Sequence, residues 1–229
     1  MDKKVLFLHM PKCAGTSMKG VFQKHFKEEF KLDNENLFKF QIKERIAKIE
    51  EFIKDPEPIE KKFTFGHFFP IKYFGSYGKE KDVFLTTFLR DPISRLASHY
   101  SFWKTLSISH YLQKKMTMEN WSFEEFALSE EMRNFYSQYM FQTPLSEFNY
   151  IGIHEDMENS WKIISKILNI NCELPKLNSS NSERMKISNS LKEKIKEFHA
   201  EDYLIYNHAL ERHNWLANSC IISNWLARN

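Results

Sequence analysis

The chain opens on Val5-Leu6-Phe7-Leu8, four apolar residues without polar alternation, and breaks at His9 into Met10-Pro11-Lys12-Cys13-Ala14-Gly15-Thr16-Ser17. A run that is apolar on both faces predicts a strand covered on both sides, the habit of parallel sheets. Beyond the loop, Met18, Val21, Phe22, Phe26 and Phe30 recur at helical spacing with Lys19, Gln23, Lys27 and Glu28 between them, which predicts an amphipathic helix. Strand, loop, helix is the opening of an α/β nucleotide-binding unit. It puts the loop at the C-terminal edge of a sheet.

The remaining pattern extends that unit. Phe63–His67, Val83–Leu89 and Tyr150–Ile153 read as further strands. Helices are predicted over about 38–52, from Pro92 through Tyr100, over 122–128 and 131–141, from Met157 to Leu168, and over about 188–210. The stretch from Phe102 to about Met118 is poor in periodicity and predicts a mobile loop or lid, and Pro175–Glu183 predicts a polar loop. The expected fold is therefore α/β, a three-layer sandwich around a central, mostly parallel sheet. With 229 residues, no linker and no internal repeat, one domain over 1–229 is expected. A tail over 211–229 carries Trp215, Leu216, Ile222, Trp225 and Leu226 at roughly helical spacing. Core packing is the expected use of that stripe, with a homodimer contact or a membrane surface as alternatives.

Composition narrows the function classes. A net charge of +3 without a block of Lys or Arg fits a locally held anion and gives no support to nucleic acid as a partner. Cys13, Cys172 and Cys220 are odd in number and far apart, so a reducing compartment is expected and no metal site of the paired-cysteine kind. The four-residue apolar run at the start is shorter than the roughly 7–15 residues of a signal peptide or the about 20 of a membrane span. A cytoplasmic protein without a transmembrane segment is expected.

Two segments carry chemistry. In the first loop, Ala14 and Gly15 let backbone approach a ligand, Thr16 and Ser17 bring hydroxyls to a helix N-terminus, and Lys12 adds a mobile charge. It is not a Walker A loop, because Lys12 precedes the glycine by three residues and no first glycine is present. A strand-to-helix turn with a solvated lysine is the plainer reading. In the second segment, Arg90-Asp91-Pro92 ends the strongest strand, and Arg90 offers a planar fork suited to a phosphate. A helix starting near Pro92 brings Ser98 back toward the same anion. The plainer reading there is a surface pair of Asp91 with Arg90 or Arg95.

Pro11-Lys12-x-x-Gly15-Thr16-Ser17 followed by Leu89-Arg90-Asp91-Pro92-x-x-Arg95-x-x-Ser98-x-Tyr100 resembles the sulfotransferases that use 3′-phosphoadenosine 5′-phosphosulfate (PAPS). The nearest group is the carbohydrate type that includes heparan sulfate 2-O-sulfotransferases and bacterial relatives. Gly66-His67, Ser122-Phe123-Glu124-Glu125-Phe126, Arg133-Asn134, Tyr150-Ile151-Gly152 and Asp202-Tyr203-x-x-Tyr206 extend the likeness to about Leu210. The resemblance implies a P-loop-NTPase-like fold and metal-free sulfuryl transfer from PAPS to a hydroxyl of a carbohydrate or glycoconjugate. It implies Lys12 at the 5′-phosphosulfate, Ala14, Gly15, Thr16 and Ser17 around the 5′-phosphate, Arg90 and Ser98 at the 3′-phosphate, and His67 as general base. His99, His154 and Glu155 are weaker candidates, Glu155 as an alternative base. Cys13-Ala14 departs from the Thr-Gly of many relatives, and Cys13 is either a reactive thiol or a quiet turn residue. Two other functions compete: a catalytically silent nucleotide-binding module, and a nucleotide-kinase-like enzyme dependent on ATP and magnesium.

Overall fold

The computed structural model describes residues 3–75, 82–107, 111–173 and 185–218. Five strands form one sheet: β1 (Lys4–Leu8), β2 (Phe30–Asp33), β3 (Phe63–Gly66), β4 (Val83–Leu89) and β5 (Tyr150–Ile153). Their order is β2-β3-β1-β4-β5, and every pairing is parallel. The sheet is thus wholly parallel rather than mostly so. β1, β3, β4 and β5 are buried along nearly their whole length, as expected of strands covered on both faces by helices.

Phenylalanine fills the layer between sheet and helix. Phe7 lies with its ring centroid 5.2 Å from Phe22, 5.1 Å from Phe65 and 5.6 Å from Phe88. All four rings are essentially inaccessible to solvent, and burying each stabilises the fold by about 1.5–3 kcal/mol. Phe22 comes from α1 (Gly15–Phe26), so the stripe read from the sequence is the one that meets the sheet.

The chain departs from its sequence pattern in several places; the helix predicted over 131–141, for one, shortens to Phe135–Tyr139 because Asn134 takes left-handed backbone, φ 48°. The first helix ends at Phe26, and Phe30 begins β2 instead of a further helical turn. Lys27 takes φ 49° and ψ −117°, which breaks the helix, and Phe30 then stacks on Phe63 of the neighbouring strand, 6.0 Å away. The next helix, α2, spans Ile42–Lys54 behind a capping box formed by Gln41 and Glu44; Phe38 lies before it and packs on Phe69, Phe135 and Tyr139. Ile49, Phe52 and Ile53 meet the core, while Ile42 and Ile46 are exposed.

The region read as a lid is largely helical. α3 (Ile71–Phe74) precedes β4; after β4, α4 runs Pro92–Thr105 and α5 runs Tyr111–Met118. The buried Gln113 amide donates to the carbonyls of Trp103, Leu106 and Ser107, which ties the two helices together. Three short or medium helices follow: α6 (Phe123–Ala127), α7 (Phe135–Tyr139) and α8 (Met157–Ile167). The long C-terminal helix is divided at His199 into α9 (Asn189–Phe198) and α10 (Ala200–Asn218). Asn134 N–H donates to His199 Nδ1 at 3.2 Å, so Nε2 carries the proton and donates to the Ala127 carbonyl at 2.7 Å. Residues 211–218 continue α10, with Leu216 buried and Trp215 exposed. The polar loop predicted over 175–183, and Cys220, Ile222, Trp225 and Leu226, lie outside the described residues. No described helix is long and apolar enough to cross a membrane.

Candidate active site

Register brings the ends of three strands level: Leu8 pairs with Gly66 on one side and Thr87 on the other. His9, His67 and Arg90 therefore leave the sheet at one edge. After β1 the chain turns toward β2 at one margin, and after β4 toward β5 at the other. The β1–β4 boundary is the switch point at which ligands of open parallel sheets bind.

The first loop is wound tightly over this boundary. Lys12 and Ala14 both adopt left-handed backbone, with φ 67° and 64°. Ala14 is the N-cap of α1, no side chain among the described residues caps that helix, and its first turn holds no acidic residue. The N–H groups that open a helix have no partner within it, so this end favours an anion. Gly15 has a specific reason to be glycine: a Cβ there would occupy the space of the His9 imidazole. Cys13 is buried with its sulfur 3.8 Å from the Tyr136 hydroxyl, and burial pushes its thiol up to about 12. That corresponds to the quiet turn residue rather than the reactive thiol.

Lys12 and Arg90 meet. Arg90 Nη1 donates to the Lys12 carbonyl at 3.4 Å. The Lys12 ammonium lies 3.6 Å from the centroid of the Phe102 ring. Partial burial, and then the charge of Arg90, lower its pKa. Arg90 Nε is buried without a hydrogen-bond partner among the described residues, a donor that an anion would satisfy. Ser98 lies one helical turn before Phe102 on α4, and so shares the face that meets Lys12.

The second segment is braced rather than open. Asp91 Oδ1 accepts from Ser94 N–H at 2.8 Å and caps α4, so that helix end is already satisfied. The Asp91 N–H donates to Glu155 Oε1 at 3.0 Å, and Glu155 Oε2 accepts from the Tyr206 hydroxyl at 3.0 Å. Tyr203 donates to Asp91 Oδ2 at 3.3 Å. Both oxygens of Glu155 are engaged in holding the loop, a poor arrangement for a base. Arg95 does not pair with Asp91 at the surface; it is fully buried, 4.2 Å over the Phe135 ring. Its neighbour His99 is buried against Trp103, 4.3 Å between rings. His154, half-buried after β5, is depressed to about 4 by burial and then by the Arg90 charge.

His67 sits where β3 ends. Its Nδ1 lies 2.7 Å from the His9 carbonyl, which only accepts, so Nδ1 carries the proton and Nε2 presents a lone pair. Burial lowers its pKa, the His9 carbonyl opposes that shift, and the charge of Lys39 reinforces it. The imidazole is thus held neutral, as a proton acceptor must be.

Sequence reasoning passed over three residues of this edge. The Tyr136 hydroxyl joins the two loops by bonding Arg90 and approaching Cys13. Asp202 Oδ1 accepts from the N–H of Tyr136 at 2.8 Å and of Ser137 at 3.3 Å, fixing the start of α7. His9 stacks on His67 with ring centroids 4.4 Å apart. Only Asp202 had a readable signal, its place in Asp202-Tyr203-x-x-Tyr206.

A cleft of about 1000 Å³ lies away from these loops, between α2 and the helical region, lined among others by Arg45, Tyr111, Lys115, Trp121, Glu124 and Gln138. Among the described residues no group of three or more His, Cys, Asp or Glu is gathered as a metal centre requires.

No curated protein matches the chain in sequence. A family profile described as Sulfotransferase family matches residues 1–209, nearly the whole chain. With its wholly parallel sheet and anion-ready loop at the switch point, the protein belongs to the sulfotransferase family.

Proposed function

We propose that the protein transfers the sulfuryl group of PAPS to a hydroxyl of a carbohydrate or glycoconjugate, with His67 as general base. The observation that carries this reading is the His67 Nδ1 contact with the His9 carbonyl, which leaves Nε2 free to take a proton beside the Lys12 loop. The residues present fit the donor nucleotide. The uncapped start of α1 and the backbone of Ala14, Gly15 and Thr16, with the Thr16 and Ser17 hydroxyls, suit a 5′-phosphate. The orphaned Nε of Arg90, with Ser98 on the neighbouring helix, suits the 3′-phosphate.

The donor supplies a sulfur activated by a phosphate leaving group. His67 Nε2 removes the hydroxyl proton as the acceptor oxygen bonds to sulfur. The sulfur–oxygen bond to the 5′-phosphate breaks, and Lys12 meets the charge gathering on that phosphate oxygen. This work is positioning and charge neutralisation, as in phosphoryl transfer.

The test combines titration and turnover. 3′-Phosphoadenosine 5′-phosphate should bind without magnesium and more tightly than ATP; a preference for ATP with magnesium would instead establish the kinase-like alternative. PAPS turnover on a panel of p-nitrophenyl glycosides should be abolished in His67→Ala, with nucleotide affinity within a few-fold of the parent. Transfer by His67→Ala at the parent rate removes His67 as the base, and a parent protein that binds the nucleotide but never turns PAPS over is a silent module.

A further inference from the structure

We propose that His9 is a positioning residue for the reaction, its imidazole a neutral stacking platform that holds the His67 ring in place and supports the charge His67 acquires. The inference rests on the proposed role of His67.

Three surfaces enclose the His9 ring. One face lies on His67, with centroids 4.4 Å apart and planes inclined by 26°. Phe65 is its other stacked neighbour, at 5.1 Å and 25°. The edge carrying Nε2 fills the space a side chain on Gly15 would need. The ring is therefore a wedge between the end of β3 and the first turn of α1. The His9 backbone is equally committed: its N–H donates to Gly66 O at 2.7 Å, and its carbonyl accepts a hydrogen bond from His67 Nδ1–H. One residue fixes the tautomer of His67 through its backbone and the plane of His67 through its ring.

The charges around the pair make this arrangement chemically meaningful. The charges of Lys12 and Lys19 reach His9, and that of Lys39 reaches His67. Among the described residues neither imidazole is hydrogen-bonded to a carboxylate, the usual companion of a catalytic histidine. When His67 Nε2 takes the acceptor proton, an imidazolium forms in cationic surroundings. Its Nδ1–H remains on the His9 carbonyl, and its face rests on a π system that attracts positive charge. His9 has to stay neutral for this, and burial, followed by the charges of His67, Lys12 and Lys19, holds it so.

Two substitutions of similar volume separate the platform from mere filling. His9→Phe keeps an aromatic face and the backbone carbonyl; His9→Leu keeps burial without the face. PAPS turnover is measured on p-nitrophenyl glycosides, with water as acceptor where none reacts. The His67 tautomer and titration are followed by nitrogen NMR in the complex with 3′-phosphoadenosine 5′-phosphate. His9→Phe should keep kcat within about threefold of the parent and an unchanged titration. His9→Leu should lose about tenfold in kcat, the scale of one cation–π contact, with nucleotide affinity retained. Its His67 midpoint should move to lower pH, because support for the protonated form is gone. Equal kcat and equal titration in the Phe and Leu variants would overturn the platform. So would loss of both variants' activity with parental His67 titration. The base reading fails separately, if His67→Ala retains transfer; a dead His67→Ala beside a parent-like His9→Leu sinks the platform alone.

Discussion

The Tyr136 hydroxyl holds Arg90 by both ends of its backbone, donating to the Arg90 carbonyl at 2.6 Å and accepting from the Arg90 N–H at 3.2 Å. One buried side chain from α7 thereby sets where the guanidinium leaves the sheet edge. Tyr136→Phe keeps the ring and removes the bond, leaving both backbone groups without that partner. The expected cost is about 1–3 kcal/mol of stability, with weaker binding of 3′-phosphoadenosine 5′-phosphate. Urea unfolding and calorimetric titration measure the two effects. A variant equal to the parent in both would make the contact incidental.

Arg90 itself is expected to act on binding. Arg90→Ala should weaken 3′-phosphoadenosine 5′-phosphate binding by roughly 1.5–3 kcal/mol, the worth of a hydrogen bond to a charged group. Adenosine 5′-phosphate, lacking the 3′-phosphate, should bind the parent and the variant alike. Equal losses for the two nucleotides would place Arg90 at some other part of the ligand.

The loop between β1 and α1 predicts opposite outcomes at adjacent positions. Ala14 sits at φ 64°, ψ 13°, a conformation that costs a non-glycine residue about 1–2 kcal/mol. Ala14→Gly should therefore leave stability unchanged or raise it by about 1 kcal/mol, since relief of strain is offset by the entropy of the unfolded glycine. Gly15→Ala should destabilise and impair nucleotide binding, because the new methyl displaces the His9 ring. Thermal unfolding of the pair is decisive: a tolerated Gly15→Ala would mean the ring is not wedged there.

Acid should weaken the fold through four histidines that are partly or wholly withdrawn from solvent. His9, His67, His154 and His199 all have pKa values below the ordinary 6.5, the last two at about 4, with burial as the leading cause in each. Unfolded, these groups bind protons that the folded state refuses, so stability rises with pH through this window and falls on acidification. Asp202 works the other way, since burial raises it to about 6, but it is one group against four. Between about pH 7 and about pH 5 the Tm should fall by about 4 °C or more, the shift that roughly 1–2 kcal/mol produces at this size. A flat or rising Tm would mean the rings are solvated.

Glu155 and Tyr206 give a contrast with His67. Glu155→Gln perturbs a brace of the Asp91 loop, so, with His67 as the proposed base, it should weaken nucleotide binding while the acid limb of turnover stays below 6.5. Loss of that limb in Glu155→Gln would return the glutamate to the role of base.

Local chemistry made much of this molecule readable in one dimension. Val5–Leu8 is apolar on both faces and Val83–Leu89 interrupts such a run only with Thr86 and Thr87, a pattern that suits a covered parallel strand. The Lys12–Ser17 and Arg90–Pro92 loops announce themselves through residue types that have few other uses in series. Where the signal was weak, a neighbour decided. Phe30 continues a helical stripe by spacing, yet becomes strand because β3 offers it Phe63 and a free edge. Residues 102–105 and 111–118 lack periodicity, yet are helical, and one buried amide, Gln113, ties the two helices together through the carbonyls of Trp103, Leu106 and Ser107.

The amino-acid order alone was enough for the α/β class, for the loops that follow β1 and β4 and for a histidine at the end of a strand, because backbone preference and side-chain chemistry act within a few residues. Only the assembled sheet decided that His9 lies on His67, that Tyr136 clasps Arg90 and that Glu155 is a strut. Those contacts join residues tens of positions apart, and their geometry follows from strand register and helix placement rather than from any local pattern.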